Sequence, residues 1–292
     1  MVEALLELVV MAMSISLKSK GLFGVITLMA KVGVVIIIMS GCATSPLGRS
    51  QISLVPDAQM NSMGSAAYSE MKTKVHTEVD TPMAKYIQCI ARPIAAASNS
   101  GIPGDQWEIR LFQDDTANAF ALPGGKIGVH TGLLKVAKTD SQLAAVLGHE
   151  VGHVIAKHGK ERVSQGMLTQ GGLVVASAAL GEQGGAKNNA LMAALGLGAQ
   201  YGILLPFGRT QESEADLIGL DLMARVGFDP RESVQLWKNM IGDHGGKAPP
   251  EWMSTHPASE NRIANLQAHF REAMPKYEAA KAAGTSPVCQ RP

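Results

Sequence analysis

Charge of one sign is missing from this chain: 26 lysines and arginines face 25 acidic residues, a formal net charge of +1 over 292 positions. No basic run breaks that balance, so the sequence offers no footprint for a nucleic acid. Cysteine is scarce, three in all, which leaves room for at most one intramolecular pair beside a third thiol. Apolar runs are short as well. Residues 32–39, 167–180 and 191–206 each fall below the ~20 residues a helix needs to cross ~30 Å of hydrocarbon. No internal repeat or long linker divides the chain, so beyond a short leader it reads as one domain with a sizeable core.

Histidine is sparse too, eight in the chain, yet two of them close the string His149-Glu150-Val151-Gly152-His153. Leu143, Val146, Leu147, Val151 and Val154 recur at three- and four-residue spacing, which predicts a helix with Thr139 or Asp140 as its N-cap. On that helix the two imidazoles share a face and can reach one metal ion. Glu150 then stands beside the ion without ligating it, placed to take a proton from an attacking water. The alternative is a surface helix that carries two solvated histidines by chance.

A hydrolytic zinc site uses three protein ligands and leaves the fourth position to water. Gly at 156 and His at 159 would continue the motif into a metzincin; Ala156 and Gly159 exclude it. A Glu from a later helix is the other common third ligand, and Gln211-Glu212-Ser213-Glu214-Ala215-Asp216 offers one. Glu212 and Asp216 share a helical face, so Glu212 can bind metal while Asp216 hydrogen-bonds a ligating His. An acidic, solvated helix start is the competing reading of that segment.

His-Glu-Val-Gly-His followed at long range by Arg209-Thr210-Gln211-Glu212-Ser213-Glu214-Ala215-Asp216 resembles metallopeptidase family 48, the HtpX-like and CAAX prenyl protease-like zinc peptidases. The segment 118–129 and the late Ser254-Thr255-His256-Pro257 with Arg262 resemble two further elements of that family, in the same order. The resemblance implies an α+β, mainly helical, gluzincin-type zinc metallopeptidase domain with a small antiparallel sheet packed beside the His-Glu-x-x-His helix. It implies one Zn²⁺ per chain on His149, His153 and Glu212, with Glu150 as general base. It also brings His256 to the cleft, either as a donor to the developing oxyanion or as an occupant of the open metal position.

Ahead of the catalytic region, Lys31, the apolar residues 32–39 and Ser40-Gly41-Cys42 read as a secretory signal ending in a lipobox, with Met39 where Leu is usual. Residues 1–41 are then a signal peptide, and Cys42 is a lipidation site that resembles those of bacterial lipoprotein precursors. An uncleaved anchor is the alternative. Glu3 and Glu7 suit no positively charged n-region, so translation is expected to start at Met13 or Met29. Ala43 after the Cys implies the periplasmic face of the outer membrane. Residues 42–58 are expected to be a flexible lipidated tether and 59–292 the single peptidase domain. Cys89 and Cys289 read as a disulfide or as two unrelated thiols.

Helical spacing dominates residues 57–97, broken at Pro82 and Pro93; strands are expected at 107–112 and 126–130, and helices at 210–226, 230–242 and 258–281. Gly125, Lys126, Ile127, Gly128 and Val129 are candidates for a sheet edge that holds an extended peptide, with a plain hairpin strand as the alternative. The stretches within 167–206 suggest a helical hairpin, buried or lying over the cleft. The implied function is zinc-dependent hydrolysis of peptide bonds in misfolded or misassembled envelope proteins. Partners would be protein or peptide substrates, the membrane through the N-terminal lipid, and envelope assembly machinery. A chaperone-like or adaptor lipoprotein that uses the zinc fold as a scaffold is the alternative, and the intact Glu150 weighs against it.

Overall fold

The computed structural model describes residues 42–179, 207–242, 251–256 and 261–292. The expected leader, 1–41, and most of the expected apolar hairpin, 180–206, therefore lie outside the described residues. Among the described residues no helix is long and apolar enough to cross a membrane. The described α-helices are α1 (Asp57–Lys74), α2 (Pro82–Ala96), α3 (Asp140–Ile155), α4 (His158–Ala179), α5 (Arg209–Arg225), α6 (Glu232–Gly242), α7 (Glu251–Thr255) and α8 (Arg262–Ala282). Strands β1 (Cys42–Thr44) and β2 (Ser50–Ile52) form a hairpin; β3 (Thr77–Glu78), β4 (Glu108–Phe112), β5 (Ala119–Leu122) and β6 (Lys126–His130) form a four-stranded sheet.

Three local expectations change. Pro82 starts a helix rather than breaking one, because its missing N–H is not needed at the first helical position, and Thr81 Oγ1 accepts from Ala84 N at 3.2 Å. Pro93 is accommodated inside α2. Residues 42–52 are a hairpin, Cys42 pairing with Ile52 and Thr44 with Ser50, not a flexible tether. Polar side chains made the segment look solvated; Arg49 instead anchors it to α4 and α5 through ion pairs.

The sheet order is β3-β4-β6-β5. Its outer pairs are antiparallel, but β4 and β6 run parallel, so the sheet is mixed rather than uniformly antiparallel. The reason is the turn at Pro123-Gly124-Gly125, where both glycines adopt positive φ, +84° and +73°. It folds β6 back inside β5 and against β4. Consequently the residues Gly125 to Val129 are not a peptide-receiving edge: Ile127 pairs with Ile109 on one side and Ala121 on the other. Among the described residues, the edge strand on that side of the sheet is β5.

One face of the sheet packs on α2 and α3, where Ile87, Ile90, Ile94, Ile109, Leu111, Ile127, Val129, Leu143 and Leu147 form a continuous core. The other carries Tyr68 of α1 with Phe112 and Leu122, and the Tyr68 hydroxyl donates to Ile127 O at 2.9 Å. α3 then packs on α5 with almost nothing between the backbones. A Cβ on Gly219 would lie 2.6 Å from the Gly148 carbonyl carbon and the His149 nitrogen, and one on Gly152 would lie 2.8 Å from Ala215 O.

The C-terminal tail returns to α2 through a Cys89–Cys289 disulfide spanning a separation of 200 residues. A second fastening comes from Arg291, which donates to Ala137 O at 3.1 Å and Lys138 O at 2.8 Å.

Because α3 and α5 touch backbone to backbone, Gly219→Ala should destabilise by about 2 kcal/mol, since overpacking outweighs the ~1 kcal/mol gain in helix propensity. Gly166→Ala, where a Cβ meets open space, should not; a thermal melt in which Gly219→Ala is as stable as Gly166→Ala would mean the helices can spread. Cys289→Ser should forfeit up to about 5 kcal/mol of chain-entropy stabilisation, read as a large fall in the urea midpoint; an unchanged midpoint would mean that Arg291 suffices.

Candidate metal centre

His149, His153, Glu212 and His256 are all buried, and one ligand atom from each lies within 4.8 Å of the others. α3 supplies the first two from one face, four residues apart, after Thr139 Oγ1 caps the helix by accepting from Gln142 N at 3.2 Å. α5 supplies Glu212 in its first turn. The Nε2 atoms of His149 and His153 face each other at 3.0 Å. Glu212 Oε1 lies 3.3 Å from His153 Nε2, and Oε2 lies 3.5 Å from His149 Nε2. His256 completes the group, with Nδ1 3.1 Å from His149 Nε2 and 3.0 Å from Glu212 Oε1.

The Nε2 atoms of His149 and His153 and the carboxylate of Glu212 converge on one point. A cation at their centre satisfies them together, and a buried N, N, O set is a zinc-type donor set. The residues present therefore fit a metal ion. Their electrostatics agree. Burial opposes charge on His149, but Glu212 and Asp216 outweigh it and lift the imidazole to about 9. Burial drives His153 well below its usual range. Burial also opposes charge on Glu212, yet the His149 charge and bonds from the imidazoles hold its carboxyl far below the ordinary carboxylate range. The carboxylates of Glu212 and Asp216 thus favour positive charge at His149, while burial disfavours it at His153.

Surrounding groups set the orientation of each ligand. Asp216 Oδ1 lies 2.9 Å from His149 Nδ1, which leaves Nε2 bare toward the centre. Arg262 of α8 donates to Glu212 Oε2 at 2.8 Å and to Asp216 Oδ1 at 2.6 Å, so one guanidinium holds both carboxylates of α5. Arg262 itself lies 4.0 Å from the Trp237 ring centroid. His158 approaches His153 Nδ1 at 2.9 Å with its own Nδ1, and Glu214 lies 3.2 Å from its other nitrogen.

Glu150 is buried beside the ligands without joining them. Its Oε1 accepts from Trp252 Nε1 at 2.8 Å and lies 3.3 Å from His256 Nε2. Phe207 stacks on His153, ring centroids 3.7 Å apart, and Arg162 covers the far side of that ring at 3.6 Å. A cavity of about 260 Å³ opens here, lined by Ala121 of the β5 edge, His153, Lys157, Arg162 and Phe207.

The model described as peptidase family M48 matches residues 83–269. This chain belongs to peptidase family M48. Among M48 relatives, the mitochondrial metalloendopeptidase OMA1 of Schizosaccharomyces pombe is 37% identical over 199 residues, covering 68% of this chain and 56% of that protein. The β-barrel assembly-enhancing protease of Yersinia pestis is 28% identical over 226 residues, covering 74% and 45%. Its putative counterpart from Vibrio cholerae is 31% identical over 219 residues, covering 72% and 44%. The chain spans about half the length of the curated relatives it matches.

These relatives overturn the outer-membrane location. OMA1 proteins that are mitochondrial by name stand beside the bacterial ones, so an expected leader and one residue after a cysteine do not locate this M48 chain. Sequence reasoning also passed over Trp252, Phe207, His158 and Arg49. Of these only His158, five positions beyond His153, had a signal in its spacing; the others approach from segments distant in sequence.

Glu212→Ala removes the carboxylate from the centre and should lower metal affinity by at least about tenfold, the scale of losses seen for groups around a metal. Chelator competition measures this directly; an unchanged affinity would take Glu212 out of the site.

Proposed function

We propose that this protein is a zinc metalloendopeptidase, one ion per chain, that cleaves protein substrates bound in extended form. The observation that carries the reading is the convergence of His149, His153 and Glu212 with Glu150 beside them, out of the ligand set and held by Trp252. When bound, zinc supplies Lewis acidity that brings the pKa of water in the site to about 7 and polarises the scissile carbonyl. Glu150 accepts the proton of the attacking water and returns it to the leaving amine. Asp216 and Arg262 keep His149 and Glu212 in the orientation this requires.

Substrate is held by the β5 edge. Asn118 O accepts from His130 N at 3.0 Å, so ladder bonds to β6 fall at Asn118, Phe120 and Leu122. The backbone groups of Ala119 and Ala121 then face away from β6, toward the side where a peptide can add as a further strand. His256 occupies the fourth corner of the ligand set at rest. It has to withdraw for water and substrate to enter, and on doing so it becomes a donor for the developing oxyanion.

The finer substrate class, misfolded or misassembled envelope proteins, is supported by the name of the bacterial relatives, β-barrel assembly-enhancing proteases. Acylation of Cys42 belongs to the same proposal as a means of holding the enzyme at a membrane. An adaptor that merely binds would have no use for a buried carboxylate beside the ligands with an indole N–H directed at it.

Glu150→Gln should retain metal and the melting temperature while kcat on an unfolded protein substrate falls by at least about 10³-fold, because only the proton transfer is changed. Turnover near that of the wild type in metal-loaded Glu150→Gln would sink the mechanism.

A further inference from the structure

The β1–β2 hairpin lies upstream of residues 83–269, the part the family model matches. Its turn is closed by Ser45 N donating to Arg49 O at 2.8 Å and by Arg49 N donating to Ser45 Oγ at 3.1 Å. From that turn the Arg49 side chain reaches into the body of the protein. Nη1 and Nη2 each donate to Glu161 of α4 at 2.7 Å, a two-point fork, and Nε donates to Glu214 of α5 at 2.9 Å. Arg49 is 24% exposed, while Glu161 and Glu214 are 5% and 4% exposed.

Both acids lead onward to metal ligands. Glu214 Oε2 lies 3.2 Å from His158 Nε2, and His158 Nδ1 lies 2.9 Å from His153 Nδ1. With a metal held at His153 Nε2, the His153 proton would sit on Nδ1. The donors would then run in one direction: His153 Nδ1–H to His158, His158 Nε2–H to Glu214, with Arg49 donating to the same Glu214 oxygen. Along the second route Glu161 Oε2 accepts from Gln211 Nε2 at 2.7 Å, and Gln211 Oε1 accepts from Gly208 N at 3.1 Å. That closes the first turn of α5, whose next residue is Glu212.

A buried cluster of two carboxylates and one guanidinium is a poor device for stability alone, since apolar side chains of equal volume do as well. Its use is orientation. We propose that Arg49 is a positioning residue of the metal centre. It fixes the His153 ring through Glu214 and His158, and it fixes the Glu212 turn through Glu161 and Gln211. The N-terminal hairpin is thereby part of the catalytic apparatus. The inference rests on the proposed zinc peptidase function and extends it to a segment outside the matched region.

The test uses the full chain as wild type, Arg49→Met, Arg49→Lys and, as a control, Lys276→Ala, which breaks an α8–α5 ion pair with Asp221 away from the centre. Zinc affinity is measured by chelator competition, the visible spectrum with Co²⁺ as the probe metal, kcat and KM on an unfolded protein substrate, and Tm by circular dichroism. Arg49→Met should bind zinc about tenfold more weakly, shift the Co²⁺ bands, and lower kcat with KM little changed. Arg49→Lys keeps the charge but lacks the fork and should fall between; it also serves if Arg49→Met does not fold. Wild-type zinc affinity, Co²⁺ spectrum and kcat in a folded Arg49 variant would overturn the proposal, as would losses no greater than those of Lys276→Ala at equal Tm. A wild-type chain that neither binds zinc nor cleaves would instead defeat the proposed function, and this is read before any variant is compared.

Discussion

Backbone lies against backbone where Gly148 meets Gly219 and Gly152 meets Ala215, and that contact sets how closely Glu212 approaches His149 and His153. Each glycine of α3 immediately precedes a ligating histidine, and Ala215 and Gly219 repeat the same four-residue interval on α5. With a larger side chain at any of these positions the two helices would stand further apart, and the Glu212 carboxylate would no longer come within 3.5 Å of both imidazoles. Small residues here are what permit a glutamate side chain of limited reach to meet histidines on a neighbouring helix.

Around that contact the rest of the domain acts as a set of restraints. The sheet presents β5 alongside α3, which brings the edge proposed to receive a peptide and Glu150, the proposed general base, to the same cleft. α8 contributes Arg262, whose planar fork suits two carboxylates one helical turn apart. α7 contributes Trp252, and His256 directly follows it, so this short stretch touches both Glu150 and the cluster of His149 and Glu212.

Much of this was readable from residue order because it depends on local periodicity. The spacing of His149 and His153, the interposed Glu150, and the pairing of Glu212 with Asp216 four residues on are properties of single helices. Strand order is different in kind. Residues 126–130 are a strand by their own sequence, but whether that strand is an edge depends on where β5 and β4 lie, and the parallel pairing with β4 leaves no local mark. The tether reading of 42–58 failed for a related reason: an arginine in a polar turn looks solvated until two acids from distant helices are brought to it. Trp252 and Phe207 are silent in sequence because an indole or a phenyl ring is most often core.

The Cys89–Cys289 link closes a covalent ring that contains α3, α5 and α8, and therefore the whole candidate metal cluster together with Arg262. Helices at chain ends ordinarily fray on their own, with opening free energies near zero, while interior elements open only with the whole domain. Pinning the tail to α2 removes that independence from α8. Amide protons of the last helix should accordingly exchange with solvent on the timescale of the core rather than of a terminus, and the guanidinium that holds Glu212 shares the lifetime of the fold.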